Sequence, residues 1–155
     1  MLTSIGWVSR AERAAEEVHN EEVRRKDQEM AQQKQRLSDL VEGAEAAVNN
    51  FEMYSYSRKR CEEAFQSLRY GGPGLYGMSV ANPQAELNQL EDQIDSLTRK
   101  IEDSEPILRS AVSQLYGALQ PLGVSAPASG WVGAARTARN ICQLKGIQLR
   151  PPRTR

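Results

Sequence analysis

The chain has 155 residues, enough for one domain, but only 39% of them are hydrophobic and just two are Phe and two Trp. Those values exclude a thick, aromatic-rich core and suit a rod, which exposes surface and needs partners. The formal charge of zero hides a polarity: residues 1–105 carry 13 basic and 20 acidic groups, a net of −7, whereas residues 106–155 carry seven basic groups and no acid, a net of +7.

In chain order, residues 1–8 form an apolar segment containing Leu2, Ile5, Trp7 and Val8. It is too short for a membrane span and lacks the basic flank of a secretory signal, so it reads as a docking segment. Glu12, Glu16 and Glu17 argue against a transit peptide. From Ser9 to Arg69 there is no Pro and a single Gly, and Ala, Glu, Gln, Arg and Lys predominate, which predicts one helix. Unbroken, it spans roughly 90 Å at 1.5 Å per residue. Ser9 is its expected N-cap, with Glu12 completing a capping box.

This helix divides by pattern. Leu37, Val41, Ala44, Val48, Phe51, Ser55, Phe65 and Leu68 make a stripe with 3,4 spacing that calls for a packing partner. Residues 10–33 are polar, with Val18, Val23 and Met30 as nearly the only large apolar side chains. Val23, Met30 and Leu37 keep a seven-residue spacing, a weak seam.

The Gly/Pro-rich run from Tyr70 to Asn82 is a turn. Asn82 followed by Pro83 predicts an N-cap and first position of a second helix, whose seam is Leu87, Leu90, Ile94, Leu97 and Ile101. Pro106 predicts a kink and a restart, with Leu108, Ala111, Leu115 and Leu119 as the continuing stripe. If Arg69 lies opposite Gln84, counting places Ser104 opposite about Asn49 and Leu119 opposite about Lys34, so the returning helix stops where the first helix loses its stripe. The expectation is an all-α, coiled-coil-like helical hairpin over residues 9–120, with a protruding N-terminal helical arm.

Residues 121–128 read as a linker. Residues 129–155 read as a basic unit: a short helix from about Ser129 to Leu144, with Trp131, Ala135, Ala138 and Cys142 on one side and Arg136 and Arg139 on another, capped by Gly146. An extended, polyproline-like end is expected to follow.

Chemistry-bearing motifs are sparse. Glu16 and His19 stand one turn apart like half of a di-iron carboxylate site, but His19 is the sole histidine, which also removes Ser–His and Cys–His catalysis from favour. The glycine run at 71–77 lacks the Lys-Ser/Thr ending of a phosphate loop. Tyr54 and Tyr56 point about 200° apart on a helix and form no stacking platform with Arg58, Lys59 and Arg60. No cofactor, metal or enzymatic activity is expected. Cys61 and Cys142 read as free thiols of the cytoplasm or another reducing compartment.

The basic C-terminal part meets no acid within itself. The sequence suggests two ways to neutralise it: docking on the acidic helices of another copy or a partner protein, or contact with nucleic-acid phosphates. The expected function is that of a non-enzymatic structural protein, a helical interaction module in a larger assembly such as a virion or secretion-type complex. The alternative is a nucleic-acid-associated protein. Trp7, Val23, Met30, Trp131, Arg136, Arg139, Arg150, Arg153 and Arg155 are the candidate interaction residues.

Overall fold

The computed structural model describes residues 2–75, 77 and 80–152, with side chains from Ser9 onward. Among these, helix α1 runs Leu2–Arg69, α2 runs Pro83–Leu119, a 3-10 turn covers Gln120–Leu122, and α3 runs Gly130–Leu144. No strand occurs among the described residues, and none of the described helices is long and apolar enough to cross a membrane. The all-α hairpin with a protruding arm and a short third helix is the architecture the sequence predicts.

α1 starts earlier than expected. Ser9 lies inside it, and its hydroxyl accepts from Arg13 at 3.3 Å instead of capping the backbone. The capping-box pattern is a local signal, and no Pro in residues 2–8 stops the helix from continuing through it. At the other end Gly71, at φ 83°, lets the chain leave α1. The Gly72 amide donates to the Ser67 carbonyl and the Gly71 amide to that of Leu68, a paired closure of a helix end that needs a left-handed residue. Asn82 then accepts from the Ala85 amide at 3.2 Å, with Pro83 opening α2. Pro106 sits within α2, which is one helix and not two.

The helices are antiparallel in the register that counting predicts. Cys61 meets Gln93 at 3.6 Å, and Lys100 stands 5.6 Å from the ring centre of Tyr54. These rungs are seven residues apart on both helices, and they place Arg69 within one residue of its expected partner Gln84.

Burial follows the number of helices present. At the turn end α2 has only α1 to pack on, and there Leu90 is buried whereas Leu87, Ile94, Leu97 and Ile101, expected as a buried seam, are half-buried. At the other end three helices meet, and Val41, Ala44, Val48, Leu108, Val112, Leu115 and Leu119 are at most 2% exposed. Val112 takes the place expected for Ala111, because α2 faces both α1 and α3 and its apolar face widens. Val124, in the segment read as a linker, is also buried in this cluster.

Candidate interaction site: the arm and the clasp at its root

Below Leu37 the core ends and α1 continues alone. Every side chain from Arg10 to Arg36 is exposed, over a length of about 40 Å at 1.5 Å per residue. Val18, Val23 and Met30 are 60%, 42% and 68% exposed. Isolated helices owe little to their own hydrogen bonds and most to packing of an apolar face. The arm has good helix formers and an exposed Arg25–Glu29 pair one turn apart, worth tenths of a kcal/mol, but none of the other described helices covers it.

The arm leaves the body beside the clasp formed by α3 and the segment after it. α3 buries Ala134, Ala135, Ala138 and Cys142 against the three-helix core, small side chains that let its backbone approach closely. Trp131, expected on this buried side, is 43% exposed. It stands in the first turn, ahead of the first fully buried residue, Ala134, whose carbonyl accepts from the buried Tyr116 hydroxyl at 2.7 Å. Gly146, at φ 74°, closes α3 as expected, with the Ile147 amide donating to the Cys142 carbonyl. The segment beyond is not a free extended end as far as Arg150. Ile147 and Leu149 pack on the core, and the Arg150 amide donates to the buried Ser38 hydroxyl at 3.0 Å.

The clasp also corrects the electrostatic argument. The C-terminal arginines find acids in cis, on α1 of the same chain. Arg136 pairs with Glu52 through two bonds, Arg139 forks onto Glu45 with its closest contact at 2.7 Å and donates to the Arg150 carbonyl at 2.8 Å, and Arg150 pairs with Asp39 and Glu42. No second copy or nucleic acid is needed to neutralise these three. The acids were the residues that sequence reasoning passed over. Asp39, Glu42, Glu45 and Glu52 recur at spacings of 3, 3 and 7 beside the apolar stripe, a legible signal that α1 presents one acidic edge.

The bond from Arg136 holds the Glu52 carboxyl below its ordinary value, with the arginine's charge adding to the effect and partial desolvation opposing it. A depressed carboxyl contributes fully above its unfolded value, and the contribution is lost as pH falls through the folded one. The Arg136 arm of the clasp therefore weakens below the ordinary carboxylate range. Burial pushes the Cys142 thiol up, although the charge of Arg139 pulls it down. Cys61, 6% exposed against 0% for Cys142, is also raised by burial and by the neighbouring Glu62 charge.

A prediction follows for the thiols. Cys61 should react with a thiol reagent before Cys142, and Arg139→Gln, which removes the fork to Glu45 at a cost of about 1–2 kcal/mol, should speed Cys142 alkylation about tenfold by easing α3 off the core. Timed alkylation read by peptide mass spectrometry checks this. Equal Cys142 rates in the two proteins would show that the clasp does not hold α3.

The other candidate residues fall into two groups. Val23 and Met30 lie on the arm. The side chain of Trp7, and Arg153 and Arg155, lie outside what the structure describes. Glu16 and His19 are exposed on the arm, and about 60 Å of the same helix separates His19 from Cys61, too far for a pair to act within one chain. Among the described residues no group of three or more His, Cys, Asp or Glu side chains is gathered to hold a metal.

These features define a helical hairpin, clasped at one end by its own C-terminal segment and extended there by a bare helix. No protein-family model, curated protein or solved structure matches the chain.

Proposed function

We infer that this chain is a non-enzymatic assembly protein, a helical interaction module whose body holds out residues 10–36 as a docking surface within a larger complex. The carrying observation is the arm itself: 27 consecutive residues with no buried side chain, continuing a helix whose packed part ends at Leu37. Val23 and Met30 prolong the stripe that α2 covers in the body, so the arm presents the face to which a further helix would add. Two unbridged thiols in separate core clusters suit a reducing compartment or the interior of a large assembly such as a virion. The nucleic-acid alternative loses its main support, since three of the five arginines it relied on are engaged within the chain.

The test is photo-crosslinking in cells with a reactive side chain at position 23 or 30, and at Tyr70, exposed at the opposite end, as control. Discrete protein adducts from the arm positions and none from Tyr70 are expected. No adduct at the arm would overturn the reading, and adducts to nucleic acid would reverse the order of the two functions.

A further inference from the structure

We propose that the arm pairs, antiparallel, with the arm of a second copy of this chain. The inference deepens the docking reading above and rests on it. Its ground is the order of charges along the exposed helix. Residues 10–22 carry two basic and five acidic side chains, a net of −3, and residues 23–36 carry five basic and two acidic, a net of +3. The halves meet at Val23. All these side chains are exposed, and the only ion pair within the arm among the described residues is Arg25 with Glu29.

A partner of one sign satisfies only one half. A nucleic acid would meet the 24–36 half and be repelled by the other. A parallel copy sets −3 against −3 and +3 against +3. An antiparallel copy sets each half against its complement, and a two-fold axis near Val23 brings Glu22, Glu21 and Glu12 of one arm opposite Arg24, Arg25 and Lys34 of the other. Two like-charged rungs, Glu17 against Glu29 and Arg10 against Arg36 at the ends of the arms, count against these three. Such an interface is isologous, the same surface used by both copies, which is the usual form of a closed dimer.

The apolar face agrees. At 100° per residue Val23 and Met30 keep the helical phase of Leu37, Val41 and Val48. In the body that face is covered by α2, which runs antiparallel to α1. A second arm running antiparallel to the first has the direction of α2 and takes up the covering where α2 stops. At the junction an open groove lined by Met30, Leu37, Leu122 and Ile147 is flanked by Asp27 and Lys34, so the apolar strip is continuous from body to arm. The apolar contribution is small, and charge order sets partner and orientation.

The experiment is light scattering and sedimentation equilibrium on the intact chain and two charge variants: Glu16→Lys with Glu21→Lys and Glu22→Lys, and Arg24→Glu with Arg25→Glu and Lys26→Glu. The first makes both halves positive and the second makes both negative. The changed positions are solvated, so helical content and melting should match the unmodified chain and show that the body is intact. The unmodified chain is expected to be a dimer weakened about tenfold or more by high salt, each variant alone a monomer, and their equimolar mixture a heterodimer.

Orientation is read from Glu12→Cys and Lys34→Cys, the native thiols being buried. Under mild oxidation the mixture should cross-link 12 to 34 faster than either variant cross-links to itself. A monomeric unmodified chain at all salt concentrations, undiminished dimers of both charge variants, or preferred 12-to-12 bridges would each overturn the proposal. A monomer that still gives adducts to other proteins at Val23 or Met30 rejects the second copy and leaves the docking reading standing, whereas no adduct rejects both.

Discussion

Replacing Leu115 by Asp should abolish the cooperative unfolding transition. Leu115 is fully buried where three helices meet. The substitution removes packing worth about 2–5 kcal/mol and places an unpaired carboxylate where none of the surrounding cluster can solvate it, at several kcal/mol more. That total rivals the roughly 5–15 kcal/mol by which a domain is stable at all. Ile94→Asp is the informative comparison. It lies in the two-helix stretch, half-exposed, where the new charge can turn to water, and a loss of about 1–2 kcal/mol would lower the melting temperature by only a few degrees. Thermal melts followed by circular dichroism separate the two cases. A Leu115→Asp protein melting within a few degrees of the unmodified chain would refute the assignment of the core.

The second large effect is expected on deleting residues 130–155. Four fully buried side chains of α3 leave with Val132, Ile141, Ile147 and Leu149, and Asp39, Glu42, Glu45 and Glu52 lose their arginines. Even at about 1 kcal/mol per buried group the apolar loss exceeds 5 kcal/mol, a fall of roughly 10–20 °C in melting temperature. The structure makes stability the first readout, because the deleted part is a third layer of the core. An unchanged melting temperature would show that α3 does not belong to it.

The long helix, the turn, the Asn82 cap and the pairing register were legible because each is written within a few residues: helix formers without Pro, a run of Gly, a 3,4 stripe. Three features were not. The ion pairs of the clasp join residues 84 to 111 positions apart, and nothing local says that Arg136 will meet Glu52. Pro151 and Pro152 point to a free extended end, whereas Leu149 packs on the core and the side-chain partners of Arg150 lie on α1. Periodicity puts Trp131 in phase with Ala135 and Ala138, but it does not say where along the helix full burial begins. For the candidate site, the exposed arm could be read from the poverty of its stripe, while the neutralisation of the basic end needed the fold.

The absence of any break in α1 between arm and body also fixes an angle. A flexible joint would let a bound partner take any heading. Here a partner gripping the arm inherits a set azimuth relative to the clasp, as a wrench on a shaft does. One residue inserted at the root would turn the arm's face by about 100° and lift it by 1.5 Å, whereas seven would return it to within about 20° while lengthening the rod by a tenth of α1. On the docking function proposed above, the helix would act as a gauge of both distance and heading, the length of its bare section setting how far from the body, and facing which way, a partner is held.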